Sequence, residues 1–283
     1  MTSTARQFFL IERQEADTVA ESQFFSSLKM RNGTFKLTQP SRFAALEAEI
    51  GSVIAERAAH FRQVLDVGVS TGLTTIELAE FLRAKGASAQ VIGTDLFVQA
   101  HLVEIAPGFR VLSDVEGWPL QYEVAGRPVR PWIRRLDYVT LMVVPRLFAR
   151  EALRPRLRRM IAEGRSLAVR METRGLAERN IELAENDIFV STPHFVGRFD
   201  FIRAANILNL SYFPAARIRE AISNIRSYCR GPGALMLIVR SKGSHHDGTL
   251  FKLGSEGSFA VRARVGNGSE IEALVLGHER KLS

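Results

Sequence analysis

Apolar positions along this chain follow two patterns, a helical spacing of roughly three to four residues and short unbroken runs typical of buried strands. Residues 1–32 read as an amphipathic helical stretch, with Phe8, Phe9, Leu10 and Ile11 near the start and Phe24, Phe25 and Leu28 later, up to a turn at Asn32-Gly33. After Pro40-Ser41 the spacing of Phe43, Leu46, Ile50, Val53 and Ile54 predicts a helix over 42–60. VLDVGVSTGLTTIELA, residues 64–79, then changes character twice. A β-prone run (Val64, Leu65, Val67) encloses Asp66, a turn follows on Gly68, Ser70, Thr71 and Gly72, and Leu73, Ile76, Leu78, Ala79 and Leu82 continue at helical spacing. QVIGTD, residues 90–95, is a second strand that ends in a carboxylate. Strand, glycine turn, helix and strand make the first half of a nucleotide-binding unit, in which a helix N-terminus presents backbone N–H groups to a ligand.

The alternation breaks over residues 96–179, where Pro107-Gly108, Gly117-Trp118-Pro119, Gly126, Pro128 and Pro131-Trp132 recur. This stretch reads as an insertion after the second strand. NIELAENDIF (180–189) restores the pattern as a short strand ending at Asn186-Asp187, and RFDFIRAANILNL (198–210) as a strand running into a polar turn. A helix over 214–230 carries Ile218, Ala221, Ile222 and Ile225 on one face, with Pro214 at its start, where the missing N–H costs nothing. Gly231-Pro232-Gly233 stops it, and ALMLIVR (234–240) is the unbroken run of a strand buried on both faces. Two β-like segments, 249–253 and 259–265, and an amphipathic stretch over 269–276 follow. About five parallel-type strands with helices between them, then a hairpin-like end, predict an α/β fold with a doubly wound, mostly parallel, Rossmann-like sheet. The expected organisation is a helical cap over 1–60 and an α/β domain over 61–283, with an insertion or lid at about 96–179.

Charge changes the picture of the insertion. Residues 127–165 hold eleven Arg, no Lys and three acids, a surplus equal to the net +8 of the whole chain, so the remainder is balanced. At 46% hydrophobic and 24% charged the chain can bury a full core. The single Cys229 excludes a disulfide framework and a cysteine-built zinc site, and reads as a buried thiol in a reducing compartment. No secretory h-region opens the sequence and no apolar run reaches the length of a spanning helix, so a cytoplasmic protein is expected.

The turn is not the phosphate-binding GxGxxG, and no GK[ST] follows it. DVGVSTG followed by VIGTD resembles the first two motifs of the class I S-adenosylmethionine-dependent methyltransferases, whose first motif is written (E/D)xGxGxG, with Ser70 here in place of the middle glycine. Asn186-Asp187-Ile188 sits where that family places a polar residue beside the adenine. Phe199-Asp200-Phe201-Ile202, Asn206-Ile207-Leu208 and Tyr212-Phe213 are similar to its fourth motif, in the flavour of the chemotaxis-receptor methyltransferases, although the Arg-Asn pair of those enzymes reads Ala205-Asn206. Gly231-Pro232-Gly233-Ala234-Leu235 is similar to their turn into the fifth strand. The likeness covers 60–95 and 180–253 and skips the insertion.

This resemblance implies S-adenosyl-L-methionine as cofactor, with Gly68, Ser70 and Gly72 admitting its methionine part and Asp66 orienting the turn or meeting the amino group. Asp95 would accept from the ribose hydroxyls, Asp187 from the adenine amino group, with Asn186 and Ile188 beside it and Asn206 at the crevice. Methyl transfer from a sulfonium requires alignment above all, and a base only where the nucleophile must lose a proton. The candidates for that base lie just after the fifth strand, Arg240, Lys242, His245, His246 and Asp247, with Tyr212 a further one; the two histidines also read as half of a metal site or as a solvated loop. No metal is otherwise implied.

In the insertion, YVTLMVV (138–144) and Pro145 precede Arg146, Arg150, Arg154 and Arg158 at i+4 spacing, with Phe148, Leu153, Leu157, Met160 and Ile161 between them. This is a basic amphipathic helix, expected to break near Pro155. Three readings stand: a lid over the sheet that also takes an anionic substrate, an interfacial helix carrying Trp132, Tyr138, Leu141 and Phe148 into an anionic membrane through residues 130–165, and, less favoured, a nucleic-acid patch. The expected acceptor is a small or amphiphilic, anionic molecule, with a non-catalytic cofactor-binding or partner-docking module as the alternative.

Overall fold

The computed structural model describes residues 3–11, 18–36, 39–243 and 245–277. The chain forms two compact units, one of Met1–Thr38 with Phe97–Thr173 and the other of Gln39–Leu96 with Arg174–Ser283.

In chain order the first unit opens with a π-helical turn, Gln7–Ile11, and helix α1 (Thr18–Ser26). The helical reading of 1–32 stops at Ser26, and residues 12–17 lie outside the described part. Beyond Ser26 the chain folds back, pairing Lys29 with Phe35 around Gly33 (φ +85°), while the Asn32 carboxamide oxygen accepts the Thr34 N–H. The second unit then begins with α2 (Ala44–Ala58), β1 (Gln63–Val67), α3 (Leu73–Ala84) and β2 (Gln90–Asp95).

The chain returns to the first unit with β3 (Gln99–Ala106), β4 (Phe109–Ser113), β5 (Pro119–Val124), β6 (Arg127–Val129), α4 (Arg135–Val139), α5 (Val143–Ala162) and β7 (Leu167–Arg170). The strands form an antiparallel sheet in the order β6-β5-β4-β3-β7. The Gly and Pro residues that interrupt the sequence pattern are its hairpin turns. Pro107-Gly108, with Gly108 at φ +77°, joins β3 to β4, and Ala125-Gly126, both at positive φ, joins β5 to β6. One side packs Ala100, Leu102, Leu112, Leu120, Val169 and Met171 with Phe8, Phe24, Phe25 and Leu28 of the N-terminal segment. Phe8 stacks on Phe24 at 4.1 Å. The N-terminal apolar residues thus find their partners in the inserted strands, which no periodicity within 1–60 reveals.

Helix α5 runs through Pro155 without the expected break. Proline removes one helix donor, but Leu153, Leu157, Met160 and Ile161 on both sides of it pack with Val103, Val111 and Tyr122 of the sheet, and this burial holds the helix together.

The second unit resumes with α6 (Gly175–Glu178), β8 (Glu182–Glu185), β9 (Phe201–Ala205), α7 (Ala215–Tyr228), β10 (Leu235–Lys242), β11 (His245–Leu253), β12 (Phe259–Val265) and α8 (Glu272–Val275). Its seven-stranded sheet has the order β12-β11-β10-β9-β1-β2-β8. Five strands are parallel and the last two antiparallel, as the sequence predicts. The order runs outward in one direction from β1 to β2 and β8, and in the other from β9 to β10. With right-handed crossovers, α3 and α7 cover opposite faces, which makes the sheet doubly wound. The face under α7 packs Ile218, Ile222, Ile225 and Tyr228 on Leu65, Ile202 and Met236. Cys229 is buried there, and burial pushes its thiol up to about 12. The stretch read as a possible loop at 245–247 is the start of β11, where His246 pairs with Ser241.

The turn before β5 tests how closely α5 lies on the sheet of the first unit. At Gly117 (φ +74°) an added Cβ would stand 2.5 Å from the Arg154 carbonyl oxygen, whereas at Gly126 (φ +73°) it would meet open space. Gly117→Ala should lower unfolding stability by about 3 kcal/mol, and Gly126→Ala by about 1 kcal/mol from its left-handed backbone alone. Equal losses in urea unfolding would contradict the packing.

Candidate functional site

The strand order of the second unit reverses at β1 and β9, and in open α/β sheets ligands bind at the carboxyl ends of the strands at such a point. Four residues there lie in the left-handed region: Gly68 (φ +75°), Ser70 (φ +60°), Gly72 (φ +86°) and Asn206 (φ +61°). The first three form the turn between β1 and α3. Gly68 and Val69 donate their N–H groups to the Thr94 carbonyl, and Ser70 donates its N–H to the Asp95 carboxylate at 2.7 Å. Ser70 keeps the backbone form that a glycine would adopt freely, at about 1 kcal/mol.

The glycines also admit close neighbours. A Cβ on Gly68 would lie 2.9 Å from Ile207, and one on Gly72 would lie 2.6 Å from Leu176, so side chains of the protein itself occupy both approaches. Sequence reasoning placed the methionine part of a ligand there and missed Leu176, which no motif marks.

Beneath the turn lies a buried ionic cluster. Asp66 and Arg203 face each other in the register of β1 and β9. Arg203 donates from Nε and Nη2 to the two carboxylate oxygens at 2.8 and 2.7 Å, and from Nη2 to the Thr74 carbonyl at 2.7 Å. Thr75 Oγ1 donates to the same carboxylate at 2.8 Å. Phe43 stacks under the guanidinium at 5.0 Å, and the Glu47 carboxylate is 3.5 Å from Arg203 Nη1. Burial pushes Glu47 up to about 7 against the pull of Arg203. Both oxygens of Asp66 are thus engaged from within the protein, by Arg203 and by Thr75. Arg203 and Glu47 escaped the sequence reading, although an arginine inside the apolar run FDFIRAA is itself a signal that a buried partner must exist.

The other candidates fall into two groups along the same edge. On one side, Asp95 at the end of β2 is half-buried, and its carbonyl accepts the N–H of Asn186, the residue after β8. Asn186 Nδ2 donates to Thr192 Oγ1 at 2.6 Å, Asp187 accepts the Phe189 N–H at 2.9 Å, and Ile188 is buried in the core. On the other side, Asn206 Oδ1 accepts the Ser241 N–H at 2.6 Å, and Ser241 Oγ lies 2.9 Å from His246 Nδ1. His246 tilts against Phe43 at 5.6 Å, and burial, followed by the charge of Arg42, holds its imidazole below the usual range. His245 and Tyr212 are exposed. Asp95 and Asn206 thus flank β1, about 10 Å apart by strand spacing. Among the described residues no cluster of His, Cys, Asp and Glu could hold a metal. A cavity of about 220 Å³ at the opposite edge, lined by Arg57, His60, Asp200 and Arg230, shares no residue with the turn.

No family model matches the sequence, and no curated protein matches it. Among solved structures, the chain is similar to an O-methyltransferase family protein from Burkholderia thailandensis (17% identity, 79% of this chain and 42% of that one, TM-score 0.32). It thus spans less than half the length of that protein. It is also similar to CalS10, an amino pentose methyltransferase from Micromonospora echinaspora solved with S-adenosylmethionine bound (11%, 85% and 87%, TM-score 0.33). A third is the sugar N-methyltransferase KedS8 from Streptoalloteichus sp. ATCC 53650 (14%, 80% and 74%, TM-score 0.32). At such values the activity has to be argued from the chain's own residues.

Two measurements probe the cluster. Arg203→Met should cost about 3–5 kcal/mol in denaturant unfolding, because it leaves Asp66 buried and unpaired. Glu47 binds its proton more tightly folded than unfolded. Stability should therefore decline as pH rises from about 4.5 to about 7, by on the order of 1 kcal/mol per unit, and level off above. Glu47→Gln should flatten that slope; coincident pH profiles would show that Glu47 is charged in the fold at neutral pH.

Proposed function

We propose that this chain is an S-adenosylmethionine-dependent methyltransferase whose cofactor lies across the carboxyl ends of β2, β1 and β9. The observation that carries the reading is the hydrogen bond from the Ser70 N–H to Asp95, which joins the turn of the first motif to the carboxylate of the second. The half-buried Asp95 and Asp187 fit the cofactor as acceptors, one for a ribose diol and the other for an adenine amino group, and Asn186 beside them fixes the corner. Asn206 faces the crevice from the other side of β1. When bound, the cofactor supplies an activated methyl group on sulfur. The protein then has to align the acceptor and exclude water. Where the acceptor carries a proton, His246 is the suited base: burial and the charge of Arg42 hold its imidazole below the usual range, and it is tied through Ser241 to Asn206.

The acceptor in this proposal is small or amphiphilic and anionic, supported by the arginine surplus of 127–165. A cytoplasmic location is supported by the single buried cysteine, and among the described residues no helix is long and apolar enough to cross a membrane. The narrower likeness to the chemotaxis-receptor enzymes has no support beyond the residues quoted for it. One observation favours a second reading, a cofactor-fold module without turnover: Leu176 and Ile207 stand where the glycines leave room.

Calorimetry with S-adenosylmethionine tests the first reading. Asp95→Ala should remove measurable binding, and Asp187→Ala should weaken it about tenfold, or 1.4 kcal/mol. Undiminished binding by both variants would overturn it. Binding without transfer of labelled methyl into any cell-extract fraction would favour the second.

A further inference from the structure

The corner between α4 and α5 exposes an unusual amount of apolar surface. Leu136, Tyr138, Val139, Leu141, Val144 and Phe148 are 65–80% exposed, with Met142 and Leu147 partly so. Leu141 turns the corner in the left-handed region (φ +57°), a strained form for a side chain that contributes nothing to the core. The second half of the same helix behaves differently, since Leu157 and Met160 are buried against the sheet. The exposed half is therefore not the core face of α5. Monomeric proteins rarely leave so large an apolar patch uncovered without a partner for it.

The charge around this corner is of one sign. Asp137, the only acid between Glu123 and Glu151, is buried and closed by Arg130, by Arg146 and by the Arg134 N–H. Its carboxyl is held well below the usual range by the bonds from Arg130. Arg134 lies on the Trp132 ring, and neither it nor Arg135 has an acidic partner among the described residues. The surface thus offers apolar side chains at its tip and uncompensated guanidinium groups at its base.

We propose that the α4–α5 corner docks on an anionic lipid surface, with Tyr138, Leu141, Val144 and Phe148 entering the headgroup–acyl boundary and Arg134 and Arg135 pairing with lipid phosphates. Charge complementarity selects this occupant. A second copy would bring the same arginines against them, and a nucleic acid has no use for a protruding tip of large aliphatic side chains. No described helix crosses a membrane, so the contact is interfacial. This docking is independent of whether the turn in the other unit binds a cofactor.

Vesicle co-sedimentation of the full chain tests it. The protein should pellet with phosphatidylcholine vesicles containing phosphatidylserine and about tenfold less with pure phosphatidylcholine. Leu141→Ser with Phe148→Ser should lower binding to the anionic vesicles about tenfold without shifting the thermal melt, because neither side chain packs in the core. Arg134→Gln with Arg135→Gln should remove the preference for phosphatidylserine. Tyr138→Trp should show blue-shifted emission, quenched by brominated lipid, only with anionic vesicles. Wild-type protein that fails to pellet, or pellets equally with the serine variant, overturns the proposal. So does a dimer in sedimentation velocity that the serine variant dissociates, which would assign the corner to a second copy.

Discussion

The turn after β1 depends on one buried ion pair. Asp66 and Arg203 sit opposite each other on adjacent parallel strands, and through them β1, β9, α2 and α3 are joined below the ligand edge. A buried pair of this kind adds little net stability, because both ions lose their hydration. Its value is in specification. Any slip of β9 along β1 would leave two charges in an apolar interior, so the pairing admits one register. That register sets Gly68 beside Ile207, and hence the shape of the turn.

Much of the second unit could be read from residue order because its signals are local. VLDV and QVIGTD are short β-prone runs and ALMLIVR is the unbroken apolar run of a strand covered on both faces, and Gly68 and Gly231-Pro232-Gly233 punctuate them. The hydrogen bond from Ser70 to Asp95 is a finding of the structure, and it joins groups at the carboxyl ends of neighbouring strands. What sequence did not show depends on contacts between distant segments. Arg203 acquires its meaning only opposite Asp66, and Leu176 only over Gly72.

The first unit was harder to read for a different reason. Its strands are short and antiparallel, and Pro107-Gly108 and Ala125-Gly126 resemble interruptions until they are seen as hairpin corners. Helix α5 shows the limit of periodicity most clearly. Arginine and apolar residues alternate throughout it, yet only its second half finds a sheet to cover. Composition describes what a face is able to bury, and the neighbours decide whether it does so. Pro155 belongs to the same lesson, since packing on both sides of it outweighs one missing hydrogen bond.

The partnership of the N-terminal segment with the inserted strands bears on the timing of folding. Phe8, Phe24, Phe25 and Leu28 share their core with Val169 and Met171, and the Thr173 hydroxyl donates to Glu21. A ribosome releases the first of these long before the last. Until residue 173 has emerged, the cluster of Phe8, Phe24, Phe25 and Leu28 lacks Val169 and Met171 and its core stays incomplete, and β1 waits longer still for β9. Such distant closures are slow, and they leave sticky intermediates exposed while synthesis proceeds. The N-terminal aromatic cluster is therefore a part of the nascent chain whose core closes late in synthesis.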